Sequence, residues 1–154
     1  MLGAPLSARI RPIAGVLLLA LLAPVACSSE ESPTAAEAGQ TLKAHILQLL
    51  KERNAQNVTI TDPGGKDIPC GDGKAKQTFA ATGKDLSHTT SPENIRAALV
   101  GAVDRVAAYE VINAGPLSSP VHVIDRRTRT ELVLDATGSG VYAVSGKTTC
   151  LPGA

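Results

Sequence analysis

Residues 121–145 read VHVIDRRTRTELVLDATGSGVYAVS, and this stretch decides the fold of the chain. It contains three short runs with apolar residues at alternate positions, which is the pattern of β-strands with one buried face. A basic turn at residues 126–129 separates the first two runs, and TGSG at 137–140 separates the second from the third. Strands joined by short turns pair antiparallel with their chain neighbours. The stretch therefore predicts an antiparallel meander in which Leu132 and Leu134 share one face.

Two amphipathic helices are predicted upstream of this meander. Thr34 and Glu37 form a capping-box pattern, and apolar residues then recur at helical spacing as far as Leu50. The second helix is expected to begin with Ser91 as N-cap and Pro92 at the first helical position, before an apolar stripe. Each helix has one apolar face, so both are expected to cover the same side of a sheet.

Three further strands are predicted at residues 58–61, 74–82 and 109–113, each rich in β-branched or aromatic residues or bounded by turn residues. The predicted order is α-β-β-α-β-β-β-β. We therefore expect an α+β fold, with two helices packed on one face of an antiparallel sheet. Residues 34–154 are the right length for a single domain.

The first 26 residues have the layout of a secretory signal peptide. Arg9 and Arg11 form a basic segment, residues 13–25 are uncharged and largely apolar, and Ala26 is a small residue at the expected cleavage point. The apolar run is shorter than the roughly 20 residues that span a bilayer as a helix. We predict a signal peptide at residues 1–26.

The end of this segment reads Leu22-Ala23-Pro24-Val25-Ala26-Cys27. It resembles the lipobox of bacterial lipoproteins, although Pro24 stands where that family prefers leucine. The resemblance implies cleavage before Cys27, a diacylglycerol on that cysteine, and attachment to the extracytoplasmic face of the cell membrane. Residues 27–33 would then form a lipidated, flexible tether. The alternatives are a secreted protein with a free Cys27 and an uncleaved anchor helix.

The overall composition is similar to that of small lipoproteins of high-GC Gram-positive bacteria, with much alanine, valine, glycine and arginine and few aromatic residues. This similarity implies membrane attachment and no particular activity.

The chain has three cysteines. If Cys27 carries lipid, Cys70 and Cys150 remain, and in an oxidising compartment they are expected to form a disulfide. Such a bond would pin the C-terminal strand to the loop in the middle of the chain. The alternative is a free or catalytic Cys70.

Charge and aromatic content argue against a nucleic-acid partner. The chain has 15 basic and 14 acidic residues, so removal of Arg9 and Arg11 leaves 13 basic against 14 acidic. Nucleic-acid binding normally needs a basic face and, for single strands, aromatic stacking platforms. The only aromatic residues are Phe79, Tyr109 and Tyr142.

No catalytic constellation is evident, and neither a cofactor nor a metal is expected. His45 is predicted to be a partly buried packing residue, His88 an exposed loop residue and His122 a strand residue facing away from the core. Ser87 and His88, with Asp85 nearby, suggest a hydrolase only weakly, because a nucleophile elbow is missing. Asp67 and Asp72 suggest calcium, but the spacing of a calcium loop is absent and a turn beside the disulfide is the preferred interpretation.

The most concentrated charge is formed by Arg126, Arg127 and Arg129. These arginines are interpreted as a solvated hairpin tip, with contact to an anionic surface as the functional alternative.

The leading functional hypothesis is a non-enzymatic binding or scaffolding domain in the cell envelope, with the membrane and an envelope protein or apolar ligand as partners. One alternative is a carrier of an apolar or lipid ligand held between helices and sheet. The other is a hydrolase with an unrecognised site. A carrier pocket would be lined by Leu132, Leu134, Ile95 and Leu99.

Overall fold

The computed structural model describes residues 32–113 and 115–153, and these belong to one compact unit. The predicted signal peptide and Cys27 lie outside the described residues. Within the described part of the chain, neither helix is long and apolar enough to cross a membrane.

Both helices begin where the sequence predicts. Helix α1 (Ala35–Glu52) has a complete capping box, in which the Thr34 side chain accepts from the Glu37 N–H and the Glu37 carboxylate accepts from the Thr34 N–H. Helix α2 (Pro92–Val103) has Ser91 as N-cap and Pro92 in the first turn. Each cap satisfies backbone donors that the helix itself leaves unpaired, so both starting points are encoded locally.

The described residues form nine strands: β1 (Gln56–Asp62), β2 (Ile68–Gly71), β3 (Lys74–Lys76), β4 (Thr78–Lys84), β5 (Glu110–Val111), β6 (Val121–Asp125), β7 (Thr130–Ala136), β8 (Val141–Thr148) and β9 (Leu151–Pro152). Six of them form the main sheet in the order β1-β4-β8-β7-β6-β5, with antiparallel neighbours throughout. The predicted α+β class and element order are confirmed. The meander of residues 121–145 corresponds to β6, β7 and β8, which are adjacent in the main sheet.

A second, three-stranded sheet, β2-β3-β9, lies outside the predicted arrangement. The single strand predicted at residues 74–82 is in fact two strands, interrupted at Gln77. The backbone N–H of this buried residue donates to the Thr148 hydroxyl (3.0 Å), and its side-chain amide donates to Asp67 (2.8 Å). Gln77 therefore connects one sheet to the other, and its contact with Thr148 joins residues that are 71 positions apart in the chain.

Both helices cover one face of the main sheet, α1 mainly over β4 and β8 and α2 mainly over β7 and β8. The core between the layers is aliphatic, with Phe79 and Tyr142 as its largest fully buried side chains. Leu132 and Leu134 are buried on the same face, as predicted, and they join Ile95 and Leu99 in one continuous cluster.

The disulfide between Cys70 and Cys150 is confirmed, with the two sulfur atoms 2.08 Å apart and the two Cα atoms 6.1 Å apart. It links β2 to the residue that precedes β9. Among the described residues, the core cluster beside the small sheet consists of four apolar side chains, Ala35, Ala38, Ala75 and Leu151. The disulfide therefore holds β2 to the C-terminal end of the chain within this small sheet.

Candidate functional site

His45 is a packing residue, as the sequence predicts. It is half-buried on α1, and its Nδ1 lies 2.9 Å from the Tyr109 hydroxyl, which in turn lies 2.8 Å from the Thr130 hydroxyl. Burial lowers the pKa of His45 and raises the pKa of Tyr109 to about 12. These groups form a closed polar network under α1, which satisfies buried hydroxyls in the core.

The loop after β4 brings Asp85 and Ser87 together, but not in the geometry of a hydrolase. Asp85 Oδ2 accepts directly from the hydroxyls of Ser87 (2.8 Å) and Thr90 (2.6 Å), while Oδ1 accepts from the Tyr142 hydroxyl (2.8 Å). His88 is exposed in the left-handed conformation (φ 56°), and its ring takes part in no hydrogen bond among the described residues.

These contacts give Asp85 a structural role. The hydrogen bond from Thr90, followed by those from Tyr142 and Ser87, holds the pKa of Asp85 well below its usual range. A carboxylate stabilised in this way is a weak base, and a serine triad needs a histidine between acid and serine. Asp85 instead ties the loop to β8 through Tyr142.

The residues considered for calcium are used in other ways. Asp67 accepts a hydrogen bond from Gln77, and Asp72 occupies a left-handed turn position (φ 53°) between β2 and β3. Within residues 32–113 and 115–153, there is no group of three or more histidine, cysteine or acidic side chains placed to hold a metal ion. The turn that the sequence favours beside the disulfide is present.

The face of the main sheet opposite the helices has a floor of small side chains. The strand register places Ala80, Ser145, Val133 and His122 in one row across β4, β8, β7 and β6. Each of these residues lies between positions that face the core, so all four point away from the helices. The strand prediction for His122 is confirmed.

A groove of about 360 Å³ lies over Ala80, Val133 and Ser145 of this row, with Asp62 on one side and Ile112 and His122 on the other. A second depression of about 250 Å³ shares Ala80, Val133 and Ser145 with it, and the two therefore adjoin across the sheet. The groove volume of about 360 Å³ is at the lower end of the range for small-molecule sites, about 300 to 1,000 Å³.

Polar groups surround the apolar floor of the groove. The Thr78 hydroxyl and the Gly64 N–H donate hydrogen bonds to the Asp62 carboxylate and thereby lower its pKa. At one end of the groove, the Lys147 ammonium pairs with Glu131 at 3.3 Å. The Ile112 side chain stands on the rim with 53% of its surface exposed. An apolar floor with a few fixed polar groups at its margin is typical of a binding site.

This groove was not predicted from the sequence, although the sequence contains a signal for it. Outward positions of a solvated sheet face usually alternate as charged or large polar residues. Here the outward positions of β4 are Thr78, Ala80 and Thr82, and those in the middle of β8 are Ala143 and Ser145. Small residues at these positions indicate a depression, but only the register of neighbouring strands brings them side by side.

The three arginines lie where the sequence predicts, on the turn between β6 and β7, and all are exposed. They are separate from the groove floor.

No family model, curated protein or solved structure matches this chain.

Proposed function

We propose that this chain is a membrane-anchored extracytoplasmic lipoprotein whose folded part is a non-catalytic binding or scaffolding domain of the cell envelope. The groove on the open face of the main sheet is the observation that carries the binding role. The Cys70–Cys150 bond supports export, because disulfides persist in oxidising compartments. The structural use of Asp85, Ser87 and His45 supports a role without catalysis.

The proposed cleavage and lipid anchor at Cys27 are tested by the intact mass of the protein extracted from membranes, measured with and without reduction. The expected mass is that of residues 27–154 plus lipid, with a gain of two hydrogens on reduction for the disulfide. An unlipidated chain cut at another position overturns the anchor.

The binding role is tested with a photo-crosslinking residue at Val133, in the groove, and at Ala97, which is exposed on α2. In cells, we expect a discrete adduct from position 133 that disappears when Ala80→Trp fills the groove. The matched variant Ala97→Trp should leave that adduct unchanged. Equal adducts from both positions, or an adduct that survives Ala80→Trp, overturn the assignment of the binding surface to the groove.

A second candidate function is a carrier of an apolar ligand, and the apolar floor of the groove favours it. The residues predicted to line a pocket between helices and sheet, Leu132, Leu134, Ile95 and Leu99, are packed in the core, so the open face is the better location for an apolar ligand. The probes are dodecanoic acid, dodecylamine and dodecanol, each added below micelle formation to the isotope-labelled protein. Shifts confined to the amides of Ala80, Val133 and Ser145 support a carrier. No shift with any of the three probes refutes it.

A further inference from the structure

The turn that carries the arginines has a fixed shape. Asp125 is buried, and its Oδ1 accepts from the backbone N–H groups of Arg127 (2.9 Å) and Thr128 (3.3 Å). Arg129 completes the turn in the left-handed conformation (φ 59°). A turn held in this way presents its side chains from a rigid base, so little backbone entropy is lost when they bind.

The three arginines of this turn differ in whether an acidic side chain pairs with their charge. Arg126 forms an ion pair with Glu110. In the described part of the chain, neither Arg127 nor Arg129 takes part in an ion pair. Two cationic side chains therefore project from one end of the sheet.

This end of the sheet is also where the described chain enters the domain. The Arg129 carbonyl accepts from the Thr149 N–H (2.9 Å), and Leu151, two residues further on, packs against Ala35 and Ala38 at the start of α1. The arginine turn and the N-terminal end of α1 are thus neighbours through a short series of direct contacts.

Covalent geometry limits how far this end can move from the proposed lipid. Cys27 and Ala35 are eight residues apart, and eight extended residues span at most about 28 Å. A lipid on Cys27 would keep the start of α1, and with it the arginine turn, close to the head groups. Binding of the turn to the same bilayer would then be intramolecular, so contacts too weak for a free protein would be populated.

We propose that Arg127 and Arg129 dock this end of the domain on an anionic phospholipid surface, and that the docked state sets the orientation of the groove relative to the membrane. The inference rests on the proposed lipid anchor. Phospholipid is the favoured partner over a soluble anionic polymer because the tether keeps the turn within reach of the bilayer. Each arginine near an anionic bilayer is expected to increase the docked population about fivefold.

The test separates docking from natural lipidation. Residues 27–154, with the native disulfide, are coupled through the free Cys27 thiol to a maleimide lipid in nanodiscs. The discs contain either phosphatidylcholine alone or an equimolar mixture with phosphatidylglycerol. A spin label on the lipid head groups broadens the amide signals of residues that approach the bilayer. We expect strong broadening at residues 127–129 in the mixed discs, little in the neutral discs, and loss of the difference at high salt.

The double variant Arg127→Gln/Arg129→Asn removes both charges, and asparagine tolerates the left-handed position. It should lower the ratio of docked to undocked protein about 30-fold. The control Lys51→Gln/Lys84→Gln removes two exposed charges from the opposite end and should behave as wild type. Equal broadening in both kinds of disc, or an unaffected arginine variant, overturns the docking. A cellular protein without lipid on Cys27 overturns the anchor.

Discussion

Removal of the disulfide should destabilise the domain strongly, because the bond closes a long loop. Cys70 and Cys150 are 80 residues apart. The chain-entropy relation then gives about 4.5 kcal/mol of stabilisation from the restricted unfolded chain, as an upper figure. The double variant Cys70→Ser/Cys150→Ser is expected to lose about 3 to 4 kcal/mol of unfolding free energy. This would be a large share of the total for a domain of this size.

The loss should have a local component as well. All four residues of β2 are exposed, and in the part of the chain that the structure describes the small sheet shares a core cluster of four residues. Without the covalent link, the amides of Ala75 and Leu151 should exchange with solvent faster than those of the central strands β7 and β8.

The measurements are urea denaturation and amide hydrogen exchange of residues 27–154. Cys27→Ser serves as the control, since it removes a sulfur outside the disulfide and should leave the unfolding free energy unchanged. A loss below about 1 kcal/mol in the double variant would refute the argument from loop closure. Uniform acceleration of exchange across both sheets would show that the small sheet is not held separately.

Three other perturbations address the core and its polar groups. Leu134→Ala should cost about 2 to 5 kcal/mol of unfolding free energy, because the side chain is fully buried, and urea denaturation measures this. Asp85→Asn should destabilise the domain at neutral pH. Since the folded-state pKa of Asp85 is lowered, its contribution is complete above the ordinary value near 4 and is lost as the pH falls further. The difference between wild type and variant should therefore shrink in acid; a difference independent of pH would contradict the hydrogen-bond argument. Burial lowers the pKa of His45, so its NMR titration should have a midpoint below 6.5, and a midpoint above that value would contradict its burial beside Tyr109.

The open face of the sheet illustrates why the candidate site was harder to predict than the fold. Ala80, Val133 and Ser145 are unremarkable as single residues, and each lies on a different strand. They become one floor only because β8 pairs with β4 on one side and with β7 on the other. The pairing of β4 with β8 crosses α2 and more than fifty residues of chain, and no local pattern specifies it.

Local chemistry was enough for the two helices, for the strands of the meander and for the faces that they bury. The capping residues Thr34 and Ser91 set the starts of the helices, because side-chain oxygens satisfy donors within three residues. Alternation of apolar residues set the buried face of the meander, because successive side chains on a strand point to opposite sides. The number of cysteines predicted the disulfide partners, which the fold confirms.

Tertiary structure alone decided the second sheet, the break at Gln77, the roles of the polar side chains and the groove. Each depends on contacts between residues far apart in the chain, such as Gln77 with Thr148 and Asp85 with Tyr142. Residue type determines what a side chain is able to donate or accept, but the partner it meets is set by strand register and helix packing. For that reason the sequence determined the two helices, the strands of the meander and the faces that these elements bury, whereas the folded chain determined the second sheet and the surface of the main sheet that is left open.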